Sequence, residues 1–261
     1  LASANAVLSH EEKEAGVALI DIGGGTTDLA IFKDGIIRHT AVIPFGGNVV
    51  TEDIKEGCSI IEKQAELLKV KFGSAWPGEN KENEIVSIPG LRGRDPKEIS
   101  LKNLSKIIHA RTVEIIEQVY LEIKNYGHED QKKKLIAGIV LTGGGSQLKH
   151  LKQLVEYVTG MDTRVGYPNE HLAGDTDKSV TSPLYATAVG LVMDGLHRLR
   201  KNEPENIEGE LFNNDPQNEE GSNDDNESSS NELKKENKKI ERESFLDKLT
   251  KNLQDFLDNA E

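Results

Sequence analysis

The chain has 261 residues, which is enough for one large domain or two small ones with a hydrophobic core. Its formal net charge of −13 argues against a nucleic-acid-binding protein, because no basic face is available to neutralise phosphates. The single cysteine, Cys58, excludes a disulfide framework within the chain and fits a reducing compartment. No apolar run approaches the roughly 20 residues of a membrane-spanning helix, and no signal peptide is visible, so we expect a cytoplasmic protein.

The first fifteen residues are expected to be the end of a helix, followed by a polar connection to the first strand. The chain begins with Leu1 rather than methionine, and the segment after it reads as a helix already under way. We therefore expect an N-terminal part of a longer protein to precede it.

A glycine-rich turn between two apolar runs, 17–22 and 28–32, predicts two strands joined by a phosphate-binding loop. Asp21 lies near the end of the first run, where a carboxylate can hold a hydrated Mg²⁺ beside phosphate oxygens. The turn itself contains Gly23, Gly24, Gly25 and Thr26. Glycines let an anion approach the backbone N–H groups closely, and threonine adds a hydroxyl donor. The alternative is a tight hairpin without a ligand, but the flanking aspartate and threonines favour phosphate.

The next segment predicts a third antiparallel strand and then a small helical subdomain. Asp34-Gly35 favours a hairpin turn, and 36–44 is rich in β-branched residues. Helices are expected to start after Gly46 and over 59–70, with a short strand at 84–88. Ser100 is a suitable N-cap for a long helix with one apolar face. We expect 50–130 to form a subdomain of its own.

A second glycine-rich turn follows the apolar strand predicted over 135–141. It contains Gly143, Gly144, Gly145 and Ser146, and a helix is expected from Gln147 to Val158. A strand, a glycine-rich turn and a helix N-terminus form an anion or nucleotide contact point. One such turn is weak evidence, whereas two in one domain are much more specific. The small-residue helix from Pro183 to Met193 has a structural role by default.

The C-terminal part predicts a tethered amphipathic helix. Residues 201–240 are acidic and polar and should be a disordered linker, and 241–261 should form the helix. Its apolar face consists of Phe245, Leu246, Leu249, Leu253, Phe256 and Leu257. Such a face suits a membrane surface, or alternatively a groove in a protein partner. The helix has three basic and six acidic residues, so anionic lipid would repel it, although four upstream lysines between 234 and 239 offset part of this repulsion.

Several stretches resemble the cell-division protein FtsA family of the actin/Hsp70/sugar-kinase superfamily. Asp21–Asp28 resembles the superfamily's second phosphate motif, Gly138–Gln147 its adenosine motif, and Tyr185–Gly190 its second connecting helix. The stretch Arg38–Ile54 is similar to FtsA in particular, and so is the Gly93–Pro96 turn. The resemblance covers about 1–199 and the architecture of the tail. It implies an α/β, actin-like (ribonuclease-H-like) ATPase half, with 16–50 and 130–200 as subdomain 2A and 50–130 as subdomain 2B.

The resemblance also implies ATP and Mg²⁺ as ligands. Asp21 would hold Mg²⁺-bound water, the first turn (Gly23, Gly24, Gly25 and Thr26) would donate to phosphates, and the second (Gly143, Gly144, Gly145 and Ser146) would line the adenosine. The superfamily's first phosphate motif lies outside this chain. We therefore expect poor ATP binding and no hydrolysis by this half alone, and at most a weak ATPase in the complete protein.

The partners implied are the C-terminal tail of FtsZ, other copies of the protein in actin-like filaments, other divisome proteins, and the cytoplasmic face of the inner membrane at the division site. The FtsZ tail would bind subdomain 2B. Because FtsZ tails carry acidic residues, the candidate contacts are Arg94, Lys97, Lys106 and Arg111; solvated surface charge is the alternative for each. The competing functions are another actin-like scaffold, for pilus assembly or cell shape, and an enzyme of the same superfamily, namely a sugar or acid kinase or a phosphatase. The tethered helix argues against an enzyme.

Overall fold

The structure is a computed structural model that describes residues 1–80, 83–90, 95–168 and 178–201. These residues belong to one compact unit, Leu1–Asn206. The predicted contact residue Arg94, most of the predicted linker and all of the predicted terminal helix lie outside the described residues.

The described strands form a five-stranded sheet and a separate hairpin. The strands are β1 (Val17–Ile22), β2 (Thr27–Lys33), β3 (Ile36–Ile43), β4 (Ile85–Ile88), β5 (Lys97–Ser100), β6 (Ile139–Thr142) and β7 (Thr163–Val165). The large sheet has the order β3-β2-β1-β6-β7; β1, β2 and β3 are antiparallel, whereas β6 and β7 run parallel to β1 and β6. The predicted three-stranded meander is confirmed, and both residues of its Asp34-Gly35 turn have positive φ, 56° and 73°.

The helices surround this sheet and build a second lobe beside it. They are α1 (Ala2–Val7), α2 (His10–Ala15), α3 (Gly47–Cys58), α4 (Glu62–Phe72), α5 (Leu101–Tyr126), α6 (Leu151–Thr159) and α7 (Ala186–Lys201). Where one terminal helix was predicted there are two, because Ser9 forms a capping box with Glu12 that starts a new helix.

Both faces of the large sheet are covered, which explains the continuous apolar run of β1. Ala18 and Ile20 face a core shared with α5 and α6, whereas Val17 and Leu19 face a core shared with α1 and α7. We call this part the sheet lobe. The helical lobe consists of α3, α4, the β4–β5 hairpin and the first half of α5, around a core of its own.

The long helix α5 belongs to both lobes. Its residues Leu104, Ile108 and Ile115 lie in the core of the helical lobe, whereas Ile116, Val119 and Ile123 lie in that of the sheet lobe. Ser100 precedes α5 as predicted, but its side chain makes no capping hydrogen bond.

The helix predicted from Gln147 is wrong at its start. A single 3₁₀ turn, Gly144–Gln147, includes the last two glycines, and α6 begins only at Leu151. His150 immediately precedes α6 with a left-handed backbone, φ 62°, and its Nδ1 lies 2.9 Å from Ser74 Oγ, which follows α4. A residue in this conformation cannot belong to a right-handed helix, so α6 starts after it.

Candidate nucleotide site

The first glycine-rich turn joins β1 to β2 at the end of the sheet that faces α3. The Gly23 N–H donates to Thr26 O at 2.9 Å and closes the turn. Gly24, Gly25 and Thr26 are exposed, and nothing lies within 4 Å of a Cβ atom placed on Gly25. The turn is therefore compact at its base and open at its tip.

Helix α3 takes the carbonyl groups of this turn. The N–H groups of Gly47 and Asn48 donate to Gly23 O at 2.9 Å and Gly24 O at 2.8 Å. In a trans peptide the N–H points opposite to the C=O, so the N–H groups of Gly24 and Gly25 point away from α3. Within the described part of the chain, nothing accepts a hydrogen bond from these two groups. They are two oriented donors available to an external anion.

The second glycine-rich turn lies beside the first because β6 pairs with β1 in parallel, with Thr142 opposite Asp21. Gly143 has φ of 80°, and a Cβ atom there would lie 2.4 Å from Asp21 Oδ1. Gly145 packs as closely, since its Cβ would lie 2.3 Å from Ile22 Cγ2. The two turns thus meet at adjacent strand ends, the usual location of ligands in α/β sheets.

The hydroxyl of Ser146 is used within the second turn and is not available to a ligand. It is 4% exposed, and its hydroxyl donates to Gly143 O at 2.7 Å, which closes the second turn. Gly144 and Gly145, in contrast, line the cleft described next.

A cleft of about 570 Å³ separates the sheet lobe from the helical lobe at these turns. This volume is in the range of small-molecule sites. Its lining combines both turns with the start of α3, with α4, α5 and with the segment before α7; it includes Gly24, Asn48, Lys69, Ile116, Gly144 and Leu184.

Lys69 is a cation in the cleft wall that the sequence analysis missed. Its Nζ donates to Gly47 O at 2.8 Å and to Thr51 Oγ1 at 2.7 Å, and it pairs with Glu66 at 2.7 Å. Burial raises the pKa of Glu66, but hydrogen bonds from Lys69 and Thr51 outweigh burial, so that the pKa is lowered and Glu66 stays ionised. The hydrogen bonds of Lys69 and Glu66 to Gly47 and Thr51 join α4 to the start of α3, beside the first turn.

Asp21 lies between the two turns, half-buried, and its Oδ2 accepts a hydrogen bond from Thr187 Oγ1 at 3.1 Å. Asp28 is its cross-strand partner. Among the described residues there is no group of three or more His, Cys, Asp or Glu that could hold a metal ion. The carboxylate of Asp21 beside exposed N–H donors instead fits Mg²⁺ that keeps its waters and arrives with phosphate, since Mg²⁺ is usually bound through one or two carboxylates plus substrate phosphates.

Comparison with known proteins identifies the family. The profile described as "Cell division protein FtsA" matches residues 18–190, which contain both glycine turns and the cleft. The chain belongs to the FtsA family. It is 40% identical to cell division protein FtsA of Pseudomonas aeruginosa over 215 residues, which cover 82% of this chain and 50% of that protein. The chain therefore spans about half the length of this relative.

Solved structures show that the fold is actin-like. MreB5 of Spiroplasma citri, solved bound to ADP, matches with a TM-score of 0.59 and 23% identity over 77% of this chain and 60% of that one. The MamK double helical filament matches with a TM-score of 0.53 and 16% identity, covering 78% and 58%. The predicted family and fold class are thus confirmed.

The basic residues predicted to contact a partner of this FtsA-family chain differ in availability. Lys97 and Lys106 are exposed, and Lys97 Nζ lies 3.4 Å from Ser59 O. Arg111 instead pairs with Asp53 of α3 through two hydrogen bonds, at 2.6 and 3.0 Å. The hydrogen bonds to Asp53 raise the pKa of Arg111. Its guanidinium is therefore already used to join α5 to α3.

No helix in the described part of this FtsA-family chain is long and apolar enough to cross a bilayer.

Proposed function

We propose that this chain is the ATP- and Mg²⁺-binding half of a cell-division adaptor that links FtsZ filaments to the cytoplasmic face of the membrane. Family membership supports the cell-division role. The observation that carries the nucleotide site is the meeting of two glycine turns at adjacent strand ends, one of them with its carbonyl groups bound by α3.

In this proposal, the two glycine turns and Asp21 have different roles. The N–H groups of Gly24 and Gly25 donate to phosphate oxygens, and Gly144 and Gly145 pack against the nucleoside. Asp21 accepts hydrogen bonds from the waters of Mg²⁺. The cation neutralises phosphate charge when it is bound. The nucleotide-bound MreB5 structure supports this assignment only through the shared fold.

The nucleotide site is tested with the full 261-residue chain. Saturation-transfer difference NMR suits the weak binding expected of half of a site. We expect a signal from ATP that Mg²⁺ strengthens and ADP displaces. Asp21→Asn should remove the strengthening by Mg²⁺. Asp162→Asn should not, because Asp162 lies beside the start of β6, at the opposite end of the strand from the glycine turns. A wild-type chain that gives no ATP signal would refute the site.

The FtsZ-tail site is proposed in the helical lobe, on the exposed lysines 97 and 106. Binding of a labelled C-terminal FtsZ peptide, followed by fluorescence anisotropy, should weaken severalfold in Lys97→Glu/Lys106→Glu. Lys152→Glu, a single charge reversal on α6 of the sheet lobe, is the control for a change of surface charge away from the site. Arg111→Glu is unsuitable because it would also break the pair with Asp53. Equal affinities for all three proteins would remove the site from these lysines.

Membrane attachment is proposed for the terminal apolar-faced helix. Leu249→Glu/Phe256→Glu should release the chain from liposomes in co-sedimentation. Because the helix carries a net charge of −3, binding to neutral vesicles should exceed binding to anionic vesicles at low salt. Undiminished sedimentation of the double variant would assign the helix to a protein partner instead. Assembly into filaments, which the MamK structure shows for a protein of this fold, is proposed for the complete protein.

A further inference from the structure

Thr187 makes an unusual contact for a threonine in a helix. It is the second residue of α7, and its hydroxyl donates to Asp21 Oδ2 across 166 residues of sequence. The other carboxylate oxygen, Oδ1, faces Gly143, where a Cβ atom would approach it to 2.4 Å. The carboxylate of Asp21 is thus held between α7 on one side and the second glycine turn on the other.

Two other threonines of the described helices use their hydroxyl locally. Thr112 and Thr159 each donate to the carbonyl four residues earlier, at 2.7 Å in both cases. This back-bonding is the common choice of a helical threonine. For Thr187 the corresponding carbonyl belongs to Pro183, which already accepts the N–H of Gly143 at 3.2 Å. The hydroxyl of Thr187 is directed to Asp21 instead.

The start of α7 is itself fixed, so the contact does not depend on a loose helix end. The bond from Gly143 to Pro183 O ties the segment before α7 to the second turn. Further along, Gly190 lies so close to α1 that a Cβ atom would come within 1.8 Å of Ala2 O. Ala186 is 1% exposed. Thr187 is therefore presented to Asp21 by an element anchored on both sides.

We propose that Thr187 is a positioning residue for the Mg²⁺-nucleotide site, acting through Asp21. This inference rests on the proposed function, in which Asp21 binds the waters of Mg²⁺. The terminal torsion of an aspartate is broad, so a free carboxylate samples many orientations. The bond from Thr187 fixes the orientation of the carboxylate, whose remaining lone pairs can accept from waters of the cation. Loss of such an outer partner commonly lowers metal affinity about 10- to 100-fold.

The test compares Thr187→Val, which keeps the branched shape without the hydroxyl, with Thr187→Ser, which keeps the hydroxyl. Thr159→Val is the matched control, because it removes a helical hydroxyl that bonds locally. ATP affinity of the full chain is measured by saturation-transfer difference NMR with Mg²⁺ and with EDTA, and the readout is the ratio of the two. Circular dichroism confirms folding, and Thr187→Ala replaces the valine variant if that variant is unfolded.

In Thr187→Val we expect the ratio of the ATP affinity with Mg²⁺ to that with EDTA to fall about tenfold, because only the affinity with Mg²⁺ decreases. The ratio should stay at the wild-type value in Thr187→Ser and Thr159→Val. A wild-type ratio in folded Thr187→Val, or an equal loss with Mg²⁺ and with EDTA, would overturn the positioning role and leave the nucleotide site intact. If wild-type protein binds no ATP at all, the proposed function fails and this inference fails with it.

Discussion

Replacing Gly46 by alanine should separate α3 from the first glycine turn. Gly46 immediately precedes α3, and its φ of −152° is one that any residue adopts, so backbone strain is not the obstacle. The obstacle is space: a Cβ atom would lie 2.6 Å from Gly23 O and 2.7 Å from Gly24 O. These carbonyl groups accept the N–H groups of Gly47 and Asn48, so relief of the clash must lengthen or break both hydrogen bonds.

The expected cost is the loss of two hydrogen bonds at about 1 kcal/mol each, or about 2 kcal/mol in the free energy of unfolding. Urea unfolding followed by circular dichroism measures it. Gly195→Ala is the matched control: nothing lies within 4 Å of a Cβ atom at this position in α7, and alanine should stabilise the helix by about 0.5–1 kcal/mol.

Gly46→Ala should also lose most of its ATP signal, because the N–H groups of the first turn lose the orientation that α3 gives them. If Gly46→Ala unfolds at the wild-type urea concentration and binds ATP normally, the turn adapts without α3. The two hydrogen bonds from α3 would then not be what orients the N–H groups of the turn.

Three further changes test other parts of the structure. Arg111→Gln should lower the free energy of unfolding by about 1 kcal/mol, because it breaks the pair with Asp53, whose side chain is 28% exposed. A double-mutant cycle with Asp53→Asn should give a coupling energy of that size, and a coupling near zero would contradict the prediction. Because the pKa of Glu66 is lowered from its ordinary 4.5, its stabilisation is complete above that value and is lost as the pH falls through the lowered one. Glu66→Gln should therefore lower the stability of the protein at neutral pH and lower it much less in acid. A difference between the wild-type and variant urea midpoints that does not change with pH would contradict this. Burial raises the pKa of Cys58, and the nearby charge of Lys97 opposes part of this rise. Iodoacetamide should therefore alkylate Cys58 slowly in the folded protein and faster after denaturant is added. Equal alkylation rates with and without denaturant would contradict the burial of Cys58.

The parts of the fold that the sequence predicts are those set by local chemistry. The apolar run of β1, the Asp34-Gly35 turn and the two glycine clusters each show their structure within a few residues. The missed strands are too short to leave a pattern: β5 has a single apolar residue, Ile99, and β7 spans only Thr163–Val165. Their strand conformation comes from pairing with a neighbour, which no local window contains.

The candidate site divides in the same way. The glycines were found because a loop that binds phosphate requires them close together in sequence. Lys69, Asn48 and Thr187 were missed because their roles come from partners that lie 22, 24 and 166 residues away. The sequence predicts Arg111 as a free cation because its partner Asp53 belongs to another helix. Such assignments need the tertiary structure.

The long helix α5 has a consequence for how the molecule folds. Since Ile108 stabilises one lobe and Ile123 the other, each lobe completes its core with its own half of the same helix. A helical lobe excised with the whole of α5 would expose Ile116 and Val119 to water, so it should aggregate or stay partly unfolded by itself. The two lobes should instead melt together in a single cooperative transition. Neither lobe should unfold locally before it.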